Sequence, residues 1–262
     1  MQASVYLDRH TWFHRLDSRA KMAALTSFFV IALAFNHPGC AVGGWVGVVV
    51  IAGASRSLGN LWRIRALLTL LFLFASVLWP LFVTGPTPLF RLGPLAMSRE
   101  SLMYGLAVGV RLSAMVAAGM VFMSTTMVEE FAHGLRRLGV PFAMSFALAA
   151  AVRLVPTFLG SSASVVEAQK SRGLDLESGN IFARLRKHVP VLVPVFVTAI
   201  RGTDLTAMAL ESKGFGAHHR RTYYLELRMR AADWMLVVVA LAAAAAAVWA
   251  RLQGYGEVLP RI

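Results

Sequence analysis

Ala168-Gln169-Lys170-Ser171-Arg172-Gly173-Leu174 and Ala209-Leu210-Glu211-Ser212-Lys213-Gly214-Phe215 are two copies of one short pattern, 41 residues apart. Each reads Ala, two variable residues, Ser, a basic residue, Gly and an apolar residue, and each closes a long helix-compatible run within residues 142–216. A helix leaves its last carbonyls without intrahelical partners. Gly takes the left-handed conformation that stops the helix there, and a cation in the last turn meets the negative end of the helix dipole. Either copy alone is an ordinary way to end a helix. Two matching copies on two neighbouring helices predict two similar charged tips offered to two similar receptors.

The composition around them is that of a membrane protein. Hydrophobic residues make up 57% and charged residues only 15%, against about 25% charged in soluble domains. One cysteine, Cys40, excludes an intramolecular disulfide. Residues 1–19 are polar and hold no apolar core beside a cleavage site, so no removable signal peptide is expected.

Residues 22–35 form a first, short apolar span, ended by the turn signal Asn36-His37-Pro38-Gly39. Residues 41–54 form a second and 66–83 a third, separated by a polar loop at 55–65. Trp79-Pro80 suits an interfacial anchor. After a Pro- and Gly-containing loop at 84–101, residues 102–128 form a fourth span interrupted only by Arg111. Residues 129–138 are amphipathic, acids first and bases last. Residues 142–170 predict one long helix with a polar stripe of Arg153, Thr157, Ser161, Ser164 and Glu167. Arg153 argues against burial in lipid, which would cost roughly 2.5–3.5 kcal/mol.

A polar connection at 174–187 leads to a second long run at 189–212, with Pro190 in its first turn and Pro194 kinking it or resetting its start. Arg201, Asp204, Met208 and Glu211 share a face there, and Arg201 and Asp204 are spaced to pair. A basic tether at 216–230 precedes an alanine-rich last span at 232–249.

Of 26 Lys and Arg, 21 fall in residues 1–21, 55–65 and 128–230. The positive-inside rule puts those segments, the N-terminus included, in the cytoplasm. The twin-tip region is then cytosolic and lies along the membrane surface on its apolar faces.

The sequence contains no phosphate-cradling G-x-x-x-x-G-K-[ST] loop, no G-x-G-x-x-G after a strand and no G-x-S-x-G elbow. Val108-Gly109-Val110 and Gly43-Gly44 read as helix-packing glycines. His10 with His14, and His218 with His219, lack the further ligands a metal site needs and read as solvated side chains. Arg111 admits two readings, a functional ionisable group at membrane depth or an interhelix hydrogen-bonding or snorkelling side chain. A membrane anchor with a charged arm and no nucleotide site of its own should work by coupling to something that has one.

These residues resemble the transmembrane T component (EcfT/CbiQ-like) of energy-coupling-factor transporters, bacterial and archaeal importers of vitamins and of cobalt or nickel. Arg15-Leu16-Asp17-Ser18-Arg19-Ala20-Lys21 is similar to the family's lead into the first span. Arg153-Leu154-Val155-Pro156 and Glu167-Ala168-Gln169 are similar to its coupling-helix core, and the two tips resemble its two Ala-Arg-Gly signatures. Ser171 and Ser212 replace the usual Ala, and Lys213 replaces Arg, keeping the charge without the planar fork.

The resemblance implies an all-α, polytopic protein of about five transmembrane helices in the plasma membrane. It would comprise a cytosolic segment (1–21), four spans (22–128), cytosolic coupling helices (129–230) and a last span with its tail (231–262). It implies no catalysis and no cofactor. Ser171, Arg172, Gly173, Ser212, Lys213 and Gly214 would dock on two ATPase subunits, supported by Arg153, Pro156, Glu167, Arg201, Asp204 and Glu211. A substrate-binding S component in the bilayer would hold the cargo, and nucleic acid would play no part. Two other classes compete. A membrane enzyme of lipid or prenyl metabolism would need acidic pairs at the membrane edge, yet no Asp or Glu lies between Lys21 and Arg99. A basic membrane-anchored scaffold would favour bases without acids, yet eight acids accompany the fourteen bases of residues 128–230.

Overall fold

A computed structural model describes residues 11–82, 87–92, 95–175, 178, 180–217 and 229–255. The chain forms two compact units, Met1–Gly139 together with Leu227–Ile262, and Val140–Glu226.

The first unit opens with a short 3-10 turn, Trp12–Arg15, followed by α1 (Ser18–Ala34), α2 (Pro38–Ala54), α3 (Leu58–Arg63) and α4 (Arg65–Phe82). An antiparallel hairpin, β1 (Pro88–Leu92) with β2 (Leu95–Ser98), leads into α5 (Arg99–Thr125) and α6 (Val128–Arg137). After the second unit the chain returns as α9 (Ala231–Leu252). Helix starts follow local chemistry. Asp17 caps α1 through Arg19 N, Pro38 opens α2, and Ser98 and Ser101 form a reciprocal capping box on α5.

Helix α5 is the spine. Val48 and Ala52 of α2, Leu61 of α3 and Leu68 of α4 gather on Ala117 and Val121 of α5 as one buried cluster. Along α4 the approach is closer still. A Cβ at Gly105 would stand 2.7 Å from Pro80 Cδ, and one at Gly109 would stand 2.8 Å from the Phe72 carbonyl oxygen. Gly105 and Gly109 are thus a small-xxx-small pair that lets two backbones touch, which is how helices associate in lipid. Trp79 meets Tyr104 edge-on at 5.7 Å beside this crossing.

The reading of Gly109 as a packing glycine holds; that of Gly43 does not, because a Cβ there meets nothing within 4 Å, and Gly44 touches only the Phe28 ring. The expected polar loop at 55–65 contains α3. Its Leu61 is buried and its Asn60 amide donates to Ser124 Oγ at 2.8 Å, so its polar residues are spent on packing against α5.

In the second unit, α7 (Phe142–Ser171) and α8 (Ile181–Ser212) run antiparallel. Phe215, just past α8, packs on Phe142 and Phe146 at the start of α7. Gly202 faces Phe158, and the Gln169 amide reaches the Pro190 carbonyl at 3.4 Å. Helix α8 starts earlier than expected, at Ile181, so Pro190 and Pro194 are both internal. Charge in residues 181–187 does not prevent helix, since Arg184 N bonds the Asn180 carbonyl and Lys187 Nζ folds back onto Ser178. Pro194 cannot donate to the Pro190 carbonyl, and the Gln169 amide reaches that freed oxygen.

Among the described residues, five helices are long and apolar enough to cross a membrane: α4, α5, α7, most of α8 and α9. Helices α1 and α2 are 17 residues each, about 26 Å, a little under a hydrocarbon thickness of roughly 30 Å.

The α4–α5 contact yields a direct test. Gly109→Ala should destabilise the solubilised protein by about 1–3 kcal/mol, read as a lower Tm. Gly43→Ala should leave Tm unchanged or raise it, since Ala is the better helix former. Equal shifts for the two variants would refute the close crossing.

Candidate coupling tips

Both tips end their helices with the same hydrogen bonds. In α7, Leu174 N donates to the Gln169 carbonyl at 3.0 Å and Gly173 N to the Lys170 carbonyl at 2.9 Å, with Gly173 at φ +87°. In α8, Phe215 N donates to the Leu210 carbonyl at 2.9 Å and Gly214 N to the Glu211 carbonyl at 2.8 Å, with Gly214 at φ +78°. Each set is a Schellman motif, and the glycine is required by its positive φ. Ser171 Oγ bonds back to the Glu167 carbonyl and Ser212 Oγ to the Ala209 carbonyl, so these hydroxyls are satisfied within their own helices.

The stop alone is not the distinguishing feature. Helix α9 ends identically, with Gly254 at φ +86° and bonds from Tyr255 N and Gly254 N, but Gln253 occupies the cap. Its nearby Arg251 is consumed within the chain, donating to the Leu33 and Ala34 carbonyls at the end of α1. The two tips instead place a cation on the cap itself, Arg172 and Lys213. Both are exposed, and among the described residues neither makes a salt bridge. Beside each, the glycine stands open, with nothing within 4 Å of an added Cβ. Because the helices are antiparallel, the tips lie at opposite ends of the pair, separated by most of the length of a 30-residue helix, about 45 Å if straight.

The supporting residues are all exposed: Arg153, Pro156 and Glu167 on α7, Arg201, Asp204 and Glu211 on α8. The spacing that allows Arg201 to pair with Asp204 is not used: the two make no ion pair in the structure. An exposed pair gains too little to hold two long side chains in one geometry. The serines of the α7 stripe are quenched internally, Ser161 Oγ on the Thr157 carbonyl and Ser164 Oγ on the Gly160 carbonyl. Apolar side chains cover much of the rest, and α7 buries only Ser145 while α8 buries Val191.

Arg111 donates from Nη1 to Asn36 Oδ1 at 3.1 Å, tying α5 to the turn between α1 and α2, a structural contact rather than one between helices. His10, His218 and His219 lie outside the described residues; His14 Nδ1 pairs with Thr11 Oγ1. Among the described residues no three His, Cys, Asp or Glu side chains cluster to hold a metal. A cleft of about 440 Å³ between α1, α2 and α5 is lined almost wholly by apolar side chains, with Lys21 at one end.

Sequence reasoning missed a buried polar cluster at the start of α1. Asp17, Ser18 and Lys21 are 4%, 1% and 2% exposed, and Asp233 of α9 is 2% exposed. Lys21 Nζ donates to the Thr125 carbonyl at 2.7 Å. Glu130 of α6 lies close by; burial raises its carboxyl above the usual range, against the pull of Lys21. One signal was available: Asp233 is the sole acid of the last helix, whose other charged residue is Arg251 at the far end.

Residues 9–224 match the CbiQ family, described as cobalt transport protein. The chain is 30% identical over 237 residues to the energy-coupling factor transporter transmembrane protein EcfT of Thermosediminibacter oceani, covering 87% of this chain and 89% of the relative. It is 33% identical over 240 residues to the EcfT of Thermanaerovibrio acidaminovorans, covering 88% of each. It is also 30% identical over 234 residues to a protein of Bifidobacterium longum named an ABC transporter ATP-binding protein, covering 86% of this chain and 30% of that one. With its multiple apolar helices, the chain is therefore a multi-pass membrane protein of the CbiQ family, and by the family and relatives it matches it is a transmembrane T component of energy-coupling-factor transporters rather than an enzyme.

Proposed function

We propose that the chain transmits ATP-driven motion of two cytosolic ATPase subunits to a membrane S component that holds the cargo, a vitamin or a transition metal such as cobalt or nickel. The observation that carries this reading is the pair of matching Schellman caps, each with a cation that makes no salt bridge among the described residues, at opposite ends of two antiparallel helices. One receptor could not engage both tips; two copies of a similar receptor could, each receiving one tip in a groove that carries a carboxylate. The Bifidobacterium relative supports the same pairing. This chain matches 30% of that protein, and the remainder leaves room for the ATP-binding function in its name.

The same geometry bears on topology. Helices α7 and α8 have the length and apolarity of spans. If they crossed the bilayer as an antiparallel pair, their tips would emerge on opposite sides, out of reach of two cytosolic ATPases. Lying along the cytoplasmic surface keeps both tips on one side. Internally quenched serines and apolar side chains suit such an interfacial helix, and the bases of residues 1–21 and 128–230 support a cytoplasmic side for both segments.

Two experiments test this. With Cys40 replaced, single cysteines at Ala143 and Ser161 should both be protected from an impermeant thiol reagent added outside intact cells; outside labelling of either overturns the topology. For the tips, retention of the ATPases on a tagged chain is the measure. A helix-terminal charge contributes only about 0.3–1 kcal/mol to its own helix, so folding should survive its loss. A charge-assisted bond in a groove is worth roughly 1.5–3 kcal/mol, and Arg can make it bidentate where Lys cannot. Arg172→Ala should therefore weaken retention more than Lys213→Ala, Lys213→Arg should hold or strengthen it, and the double alanine variant should insert but lose the ATPases. Wild-type retention by the double variant would reduce the tips to ordinary helix ends.

A further inference from the structure

The chain leaves the first unit through α6 and returns to it through α9, and both of these helices are fastened to the same turn of α1. On the outgoing side, Ser18 Oγ donates to the Glu130 carbonyl of α6 at 2.8 Å. One turn on, a Cβ at Gly134 would stand 2.6 Å from the same Ser18 Oγ, so α6 packs on this hydroxyl as closely as glycine permits. On the returning side, Asp17 N donates to Asp233 Oδ1 at 2.9 Å, and Asp233 Oδ2 accepts from Arg230 N at 2.7 Å. One carboxylate therefore caps two helices, α1 and α9, and sits at the positive end of both dipoles. Lys21 completes the node by donating to the Thr125 carbonyl at the end of α5 and to the His14 carbonyl.

These groups are almost wholly buried. A buried polar group that slides from its partner loses the bond without gaining water. The contacts therefore favour one arrangement over a continuous range, and a displacement of α6 or of the start of α9 is carried into α1 as a body.

We propose that Ser18 and Asp233 are positioning residues that convert movement of the two connections into the second unit into movement of α1 within the bilayer. This rests on the coupling reading above. The relevant partner is the ATPase pair, acting through the second unit. The moving element is α1, packed on α9 and α5.

The test uses the complex of this chain with its ATPases, purified in lipid nanodiscs. With Cys40 replaced, spin labels are placed at Leu33 on α1 and Leu106 on α5, both exposed, and their distance is measured with and without ATP. The otherwise wild-type complex should show an ATP-dependent change. Ser18→Ala, which removes one hydroxyl facing a glycine, and Asp233→Asn, which keeps shape but loses one acceptor, should abolish most of that change while retaining the ATPases and their hydrolysis. A merely structural role would lower Tm or yield and leave the change intact in the protein that folds. Should Asp233→Asn fail to insert, Ser18→Ala carries the test alone. Full distance changes in the variants, or none in the wild-type complex, overturn the proposal. Failure of the wild-type chain to retain ATPases at all would instead overturn the coupling reading.

Discussion

A helix cannot end without leaving carbonyls exposed, and the way this chain ends two of its helices governs how its second unit can be used. Each end is closed by a glycine in the left-handed region, with the same two hydrogen bonds and a cation at the cap. The cation lies at the negative pole of its own helix and is favoured there without a partner. That leaves its donors available to another molecule. Arg251, two residues before the cap in the α9 stop, shows the alternative, with its Nη1 already donating to the end of α1.

The first unit solves a different problem, holding short apolar helices together where apolar surface gives little drive between them. In lipid, association depends on close packing and on polar groups that find partners. Both devices are present and they are separated along α5. Glycines 105 and 109 bring α4 against its first half. At its C-terminal end, Asn60 bonds Ser124, and Lys21 bonds the Thr125 carbonyl. The middle carries the apolar cluster around Ala117 and Val121.

Much of this was legible in the sequence. The long runs, the break at residues 139–141 and the two tips appear where hydrophobic periodicity and the basic-Gly signal put them. What was not legible has a physical pattern. Charge at 55–65 and at 174–187 reads as loop, yet in both places polar side chains bond locally or across to a neighbour, and helix occupies residues 58–63 and begins again at 181. Pro190 reads as a first turn and Pro194 as a kink or a reset start, because sequence does not say which donor will reach the freed carbonyl; the Gln169 amide, twenty-one residues away, does. The node at Asp17, Ser18, Lys21 and Asp233 joins residues more than two hundred apart, a juxtaposition that no local pattern encodes.

The two tips are alike in their bonds but not in their surroundings. In a Schellman stop the residue after the glycine commonly makes an apolar contact with its own helix. At the second tip that residue is Phe215, and its ring lies 4.6 Å from Phe146 and 5.8 Å from Phe142 of the neighbouring helix. The α8 tip is thus braced against the start of α7 before any partner arrives. At the first tip the residue is Leu174, half-buried, and this tip is tied to α8 by the Gln169 amide on the Pro190 carbonyl. One tip is thus held by ring packing and the other by a hydrogen bond, and a braced group loses less freedom on docking than a free one. On the proposed reading both caps meet their receptors already ordered. What then separates them is the cap side chain itself: the planar fork of Arg172 can bind a carboxylate through two bonds, whereas Lys213 offers a point charge.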